Sequence, residues 1–225
     1  MKLIYQGKTK NVYENQDGTY TLKLKDDATG KDGVFDPGEN AVGLSIEGLG
    51  RESLRLTKYF FEKLKAENIP THYIDCNIED ITMQVKPAKV FGKGLEFVCR
   101  RKAGGSFVKR YGAYVEAGTE LDYLVEVTLK DDARQDPPLT KDTLETLQIM
   151  TADDYEACKA LTKTITKKIA ADLSTKGIEL QDIKFEFGKS GEEILLIDEI
   201  SGGCMRVYKD GELLHPMDMT KFILS

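Results

Sequence analysis

The sequence is poor in the groups by which catalytic centres are most often recognised. Among its 225 residues are only two histidines, His72 and His215, each near a proline (Pro70, Pro216) in a loop-like context. A histidine-centred triad or metal cluster is therefore not expected, and any chemistry must run on lysine, arginine, carboxylates and a metal ion. Cysteine is sparse too: Cys76, Cys99, Cys158 and Cys204 are scattered without a CxxC pair. They read as reduced thiols of a cytosolic protein, with no zinc site. No apolar run approaches the roughly 20 residues of a membrane span. The opening MKLIYQGKTK is too charged, and its apolar part too short, for a secretory signal. Internal repeats, low-complexity linkers and a GxxxxGK[ST] phosphate loop are all missing. The net charge of −6 argues against a general polyanion binder, so a phosphate site must be a local exception.

What is present suits a globular chain: 40% apolar and 31% charged residues, enough for one large domain or two small lobes sharing a cleft. Residues 2–25 alternate like strands around a break at Asn15–Gly18. Residues 26–40, DDATGKDGVFDPGEN, read as a mobile loop. Over about 51–67, Leu54, Thr57, Phe61 and Leu64 share one helical face, and Asn68 and Pro70 end it. Strands are expected at about 72–76, 80–86, 94–101 and 121–130. Thr151, with Asp153 and Asp154, starts a helix whose core stripe is Cys158, Leu161, Ile165, Ala170 and Leu173, closed by Gly177. Strands first and segregated helices later argue an α+β fold of two lobes, residues 1–87 and 88–225.

Four stretches could carry chemistry. In YQGKTKNVY (5–13), a glycine between short strands lets backbone approach a ligand, and Lys8 and Lys10 add positive charge suited to a nucleotide triphosphate. RRKAGGSFVKRY (100–111) holds five basic residues and no acid. Its glycines, its serine and its forked arginine donors suit a phosphate monoester better than extended nucleic acid. LKDDARQDPPLT (129–140) places mixed charges past a strand end, with Asp136 before two stiffening prolines.

The fourth is IKFEFGKSGEEILLIDEIS (183–201), a strand, a Ser-Gly turn and an apolar run that ends in two acids. Magnesium on nucleotide phosphates usually takes one or two protein carboxylates. Glu186 and Asp198 share a sheet face, roughly 7–8 Å apart, only if the hairpin loop has three residues, Ser190 to Glu192.

These stretches, in this order, resemble the SAICAR synthetase family (phosphoribosylaminoimidazole-succinocarboxamide synthases): GKTKNVY, EFVCRRKAGGSFVKRY, LKDDARQDPPLT, DIKFEFG, then IDEIS with an arginine shortly after. The resemblance spans nearly the whole chain. It implies a ligase that joins L-aspartate to carboxyaminoimidazole ribotide (CAIR) with ATP, in de novo purine synthesis. The implied fold is a two-lobed α+β architecture, with an N-terminal antiparallel nucleotide lobe and a C-terminal α/β lobe, related to kinase and ATP-grasp nucleotide sites. It also implies Mg2+, ATP as co-substrate, a cytoplasmic homodimer, and neither nucleic-acid nor membrane partners.

Carried onto this chain, Gly7, Lys8, Lys10 and Val12 look like the loop over the triphosphate, and Lys86 falls where an adenine-binding linker should lie. Arg100 and Ser106, with Lys109 and Arg110, match ribotide-holding positions, and Arg206 lies where the family has another substrate-binding arginine. Lys130 and Asp136 fall in a motif on the cleft wall. Glu186 and Asp198 match metal and nucleotide carboxylates, with Lys184 beside them. The implied catalytic set is Lys8, Lys10, Lys130, Asp136 and Lys184. One departure stands out: the family often shows Pro-Asp after D-E-x-S, where this chain has Gly202-Gly203, expected to loosen the loop. The tail after Arg206 looks short, so a C-terminal helix is expected to be reduced. Two rival readings are a small-molecule kinase with the same nucleotide lobe and a module that senses ATP without chemistry.

Overall fold

The structure is a computed structural model that describes residues 1–31, 34–35 and 42–225. In chain order the elements are β1 (Lys2–Gln6), β2 (Lys10–Glu14), β3 (Tyr20–Leu24), β4 (Asp27–Lys31), β5 (Val34–Phe35), β6 (Val42–Ser45), α1 (Leu49–Ala66), β7 (Tyr73–Asn77), β8 (Thr82–Val85) and β9 (Lys89–Val90). They continue with β10 (Leu95–Lys102), α2 (Gly105–Tyr111), β11 (Glu120–Leu129), a 3-10 turn (Asp132–Arg134), α3 (Lys141–Thr146), α4 (Ala152–Ser174), β12 (Ile178–Ser190), β13 (Glu193–Ile197), β14 (Met205–Lys209), β15 (Glu212–Leu213) and α5 (Pro216–Ile223). The chain forms two compact units. The first comprises Met1–Lys89, Gly188–Gly203 and His215–Ser225; the second comprises Val90–Phe187 and Cys204–Leu214.

In the first unit an antiparallel sheet runs β1-β2-β3-β8-β7. Helix α1 buries Leu54, Thr57, Phe61 and Leu64, the face its spacing predicts, together with Leu56 and Phe60. Its first turn has no capping side chain of its own. Asp26 supplies the cap instead, its carboxylate accepting from the Gly48 N–H at 3.1 Å and the Gly50 N–H at 2.9 Å. That anchoring corrects part of the loop reading for 26–40. Asp27–Lys31 is a strand, paired with β6 on one side and β5 on the other, and Ala28 is buried. The loop expectation for residues 32–33 and 36–40 lies outside the described residues.

The hairpin β12–β13 returns the chain to this unit. Its turn has two residues, Gly191 and Glu192, where the metal geometry above required three. Gly191 has φ 62°, so it takes the first turn position directly after a paired Ser190. Leu196 then bonds on both sides of the segment after α1: His72 N–H to Leu196 O at 2.9 Å and Leu196 N–H to Pro70 O at 3.0 Å. Gly202 is buried, and a Cβ there would lie 2.6 Å from Pro216 Cβ. The Gly-Gly departure is thus a close-packed contact with the start of α5, against the expectation of a loosened loop. An eight-residue helix, α5, follows, whose Thr220 hydroxyl bonds Glu52 of α1.

The second unit is built on a sheet in the order β11-β10-β12-β14-β15, with α4 packed on β10 and β11. Thr151 caps α4 by accepting the Asp154 N–H at 3.1 Å. The helix buries Cys158, Ile165, Ala170 and Leu173 as expected, leaves Leu161 of the expected stripe half-buried, and adds Thr162, Thr166 and Ile169. On β12, Phe185 and Phe187 pack toward Phe97 of β10, whose ring meets Phe187 edge-on at 5.3 Å. The intervening residues are not solvent-facing as a simple hairpin would have them. Asp182 and Glu186 are buried and Lys184 is half-buried.

Candidate functional site

Register puts the charged residues of the second unit in rows across one sheet face. Arg100 of β10 lies opposite Asp182 of β12, and Asp182 lies opposite Arg206 of β14. Arg206 Nη1 donates to both Asp182 oxygens at 3.1 and 2.9 Å, and Arg100 Nη1 reaches Oδ2 at 3.4 Å. Arg100 Nε also donates to Glu126 at 2.6 Å and its Nη2 to the Ser106 hydroxyl at 3.1 Å. Arg100 is 3% exposed, so its guanidinium is fixed by these partners and not by solvent.

The basic stretch 100–111, read as a loop, is a strand end followed by the short helix α2. Its glycines admit close contacts. A Cβ on Gly105, whose φ is 51°, would lie 2.6–2.8 Å from the Arg206 guanidinium, and one on Gly104 would lie 2.2 Å from Gln181 Nε2. Lys109 is exposed, and Arg110 is spent on Glu126 at 2.6 Å.

Farther along the same strands Glu96 stands directly opposite Glu186, a like-charge pair that costs stability unless compensated. Each has its cation: Lys184 Nζ donates to Glu96 and Lys130 Nζ to Glu186, both at 2.6 Å. Burial would push the Lys184 ammonium down, but Glu96 and Glu186 outweigh it and hold its pKa above the ordinary lysine value. Asp136, with φ 46°, accepts the Asp131 N–H at 2.6 Å. Burial nevertheless raises the Asp136 pKa, with the nearby Glu96 acting in the same direction.

In the first unit Lys10 of β2 is buried and ion-paired to Asp198, with Glu199 3.8 Å away. Asp198 follows the end of β13 and has φ 68°, so strand alternation no longer dictates where its side chain points. His72 Nε2 bonds the Asp198 carbonyl at 2.9 Å, and burial pushes the His72 pKa down to about 4, so the ring is neutral. The Gly7 N–H closes the turn onto Lys10 O at 2.9 Å, and Lys25 Nζ donates to Gly7 O at 2.8 Å. Lys8 is exposed, Val12 half-buried on β2, and Lys86 exposed with its N–H on His72 O at 2.7 Å.

Of the residues singled out from sequence, the structure joins Lys10 to Asp198, Lys130 to Glu186, and Arg100 to Ser106 and, through Asp182, to Arg206. Glu186 belongs to the second unit and Asp198 to the first. Partners that the sequence reading did not place in the site include Glu96, Glu126, Asp182 and Glu199, and also His72, which it set aside as a loop histidine. For Asp182 a signal existed, since Asp182, Lys184 and Glu186 keep a period of two.

A sequence model described as SAICAR synthetase matches residues 3–220. The chain belongs to the SAICAR synthetase family. It is 60% identical to the phosphoribosylaminoimidazole-succinocarboxamide synthase of Clostridium tetani, over all of both chains. It is 35% identical to that of Finegoldia magna, covering 92% of this chain and 86% of the relative. Among solved structures, a type-2 SAICAR synthetase in complex with ADP has TM-score 0.83 and 28% identity, covering 98% of this chain and 91% of that one. The synthase of Ehrlichia chaffeensis has TM-score 0.84 and 25% identity, with 100% and 92% covered. The α+β architecture expected of the family is the one found. As a SAICAR synthetase the chain is an ATP-dependent ligase that joins L-aspartate to CAIR, giving SAICAR, ADP and phosphate in purine synthesis. No described helix is long and apolar enough to cross a membrane.

Proposed function

We propose a division of labour among these residues in which the row Arg100–Asp182–Arg206, with Ser106, holds the imidazole ribotide. The observation that carries this is the fixed guanidinium pair: two arginines aligned by one buried aspartate across three strands. Such a pair presents its remaining N–H donors without reorganisation when an anion arrives. Lys109 and Arg110 extend the basic surface of that subsite. For ATP, the residues are Gly7, Lys8, Lys10, Val12 and Lys86 of the first unit, and Lys130 of the second. Residues 1–87 form the core of the nucleotide lobe and 88–225 supply most of the substrate contacts, less the returning segments.

Magnesium fits the donors. Glu186 and Asp198 each already balance an ammonium group, so positive charge against their oxygens suits both positions. Such an ion takes one or two protein carboxylates and the phosphates of its nucleotide. Bound with ATP, it would supply charge neutralisation to the phosphoryl oxygens. The protein's own part is alignment and charge. Lys8 and Lys10 meet the triphosphate, Lys130 and Lys184 keep the acids of β10 and β12 compensated, and Asp136, whose pKa burial raises, completes the catalytic set beside Lys130. The CAIR carboxylate, a poor acylating group, takes the γ-phosphoryl group of ATP and expels ADP; the amine of L-aspartate then attacks the acyl carbon of that acyl phosphate and expels phosphate. The working form is a cytoplasmic homodimer, with no nucleic-acid or membrane partner.

The test is ADP release by the purified protein with magnesium-ATP, CAIR and L-aspartate, omitting each in turn. ADP and SAICAR appearing together only in the complete mixture is the expected result. ADP without aspartate would point to uncoupled acyl-phosphate formation or to a kinase, and tight ATP binding with no ADP to a sensing module. Normal turnover by Asp198→Asn would overturn the metal assignment.

A further inference from the structure

The second unit contains a cavity of about 430 Å³ that none of these roles uses. One wall is a stripe of α4 at helical spacing, Lys167, Ala170, Ala171 and Ser174, where the two alanines leave the room that longer side chains would fill. Arg101, Tyr123 and Gly177–Glu179 complete the lining of this open pocket. Arg101 neighbours Arg100 in sequence but does not share its partners Glu126, Asp182 and Ser106. Its Nη1 donates to Leu180 O at 3.1 Å, and its guanidinium stands 5.6 Å from the Tyr123 ring. Lys167 Nζ stands 5.4 Å from the same ring. Two cations therefore converge on one aromatic side chain, and among the described residues neither is in an ion pair. The acid at the rim, Glu179, is held by Lys102 at 2.5 Å. Convergent like charges repel, and a bound anion relieves that repulsion. The cavity is also much larger than a phosphate ion needs. Its remaining lining suits a polyhydroxylated ring: the Ser174 hydroxyl and Glu179 oxygens for hydroxyl groups, and the Tyr123 ring as a platform. Ile178 and Glu186 are eight residues apart on one extended strand, roughly 26 Å, so this is not the acid pair of the reaction.

We propose that this cavity is a second ligand site, which takes a sugar phosphate: phosphate on Arg101 and Lys167, sugar hydroxyls toward Ser174 and Glu179. The site goes beyond the catalytic reading and does not depend on it.

The chain contains no tryptophan, so Tyr123→Trp introduces a single fluorophore at the cavity wall. Ribose 5-phosphate titrated into this variant should change its emission saturably. The same variant carrying Lys167→Glu should bind at least about tenfold more weakly, the usual loss for a charge-assisted hydrogen bond. Inorganic phosphate and ribose are titrated in parallel. An equal response to inorganic phosphate, or a response untouched by Lys167→Glu, overturns the proposal, as does no response. Equilibrium dialysis of labelled ribose 5-phosphate against the unmodified protein and Lys167→Glu, both saturated with CAIR, reads the same answer without the reporter. Lys167→Glu should leave ligation without added sugar phosphate unchanged.

Discussion

Gly105→Ala isolates what the arginine row contributes. A methyl group at this position would lie 2.6 Å from Arg206 Nη2 and 2.8 Å from its Cζ and Nη1. Comfortable contact needs roughly 3.5 Å, so the guanidinium must retreat by about 0.8 Å. Its bonds to Asp182, now 3.1 and 2.9 Å, would then stretch past useful length. Alanine at φ 51° costs about 1 kcal/mol, and weakening a charged hydrogen bond costs about 1.5–3 kcal/mol more. Gly118→Ala is the control. Its φ is 85° and nothing lies within 4 Å of a Cβ there, so it bears the backbone cost alone. In urea unfolding, Gly105→Ala should lose at least about 1 kcal/mol more than Gly118→Ala, within the spread of measured charged hydrogen bonds. In steady-state assays its KM for CAIR should rise about 10- to 100-fold, with kcat changed less. Equal stability losses and an unchanged KM would refute both the displacement and the role given to Arg206.

Asp182→Asn removes the buried charge that joins Arg100 to Arg206, and denaturant unfolding should show a loss of about 3 kcal/mol or more. Glu186→Gln should abolish ADP formation while leaving the thermal midpoint nearly unchanged, since an amide still accepts from Lys130; turnover within about tenfold of the parent would contradict the assignment. Gly202→Ala should destabilise the first unit by about 1–3 kcal/mol, because the new methyl would sit 2.6 Å from Pro216 Cβ; a neutral result in thermal unfolding would mean that α5 yields freely. Removing magnesium with a chelator should stop ADP release, and its return should restore it.

Local chemistry made some elements legible and not others. Helices α1 and α4 announce themselves because their apolar faces repeat at 3.6 residues and Thr151 is a capping residue in sequence. Strand β4 was hidden because DDATGKDG has turn composition, and what makes it a strand is pairing with β5 and β6 together with a capping duty of Asp26 some 20 residues away. The basic stretch 100–111 looked like a phosphate loop by composition. Yet Arg100 and Arg101 extend β10, and α2 begins at Gly105, because strands β11 and β12 claim the backbone on both sides. The long motifs identified the family, but they could not show that Gly188–Gly203 and His215–Ser225 rejoin the first unit. That return rests on contacts such as Leu196 with Pro70 and His72, between residues more than 120 positions apart.

The charged residues of β12 explain how the proposed chemistry can sit on strands and not on the loops that the composition favoured. Asp182, Lys184 and Glu186 alternate in sign along one face, and each meets its opposite from a neighbouring strand or strand end: Arg100 and Arg206, Glu96, and Lys130. On the other face Ile183, Phe185 and Phe187 are buried. A one-residue slip of β12 would bury the charges in the apolar core and expose the phenylalanines, so packing fixes the register and the register fixes the charges. The apolar face therefore holds the polar one to position at no cost in loop entropy, which is what a site working by alignment and charge requires. The left-handed Asp198 is the exception. It leaves the strand, and its backbone is secured by His72, which burial keeps neutral, while its carboxylate is secured by Lys10.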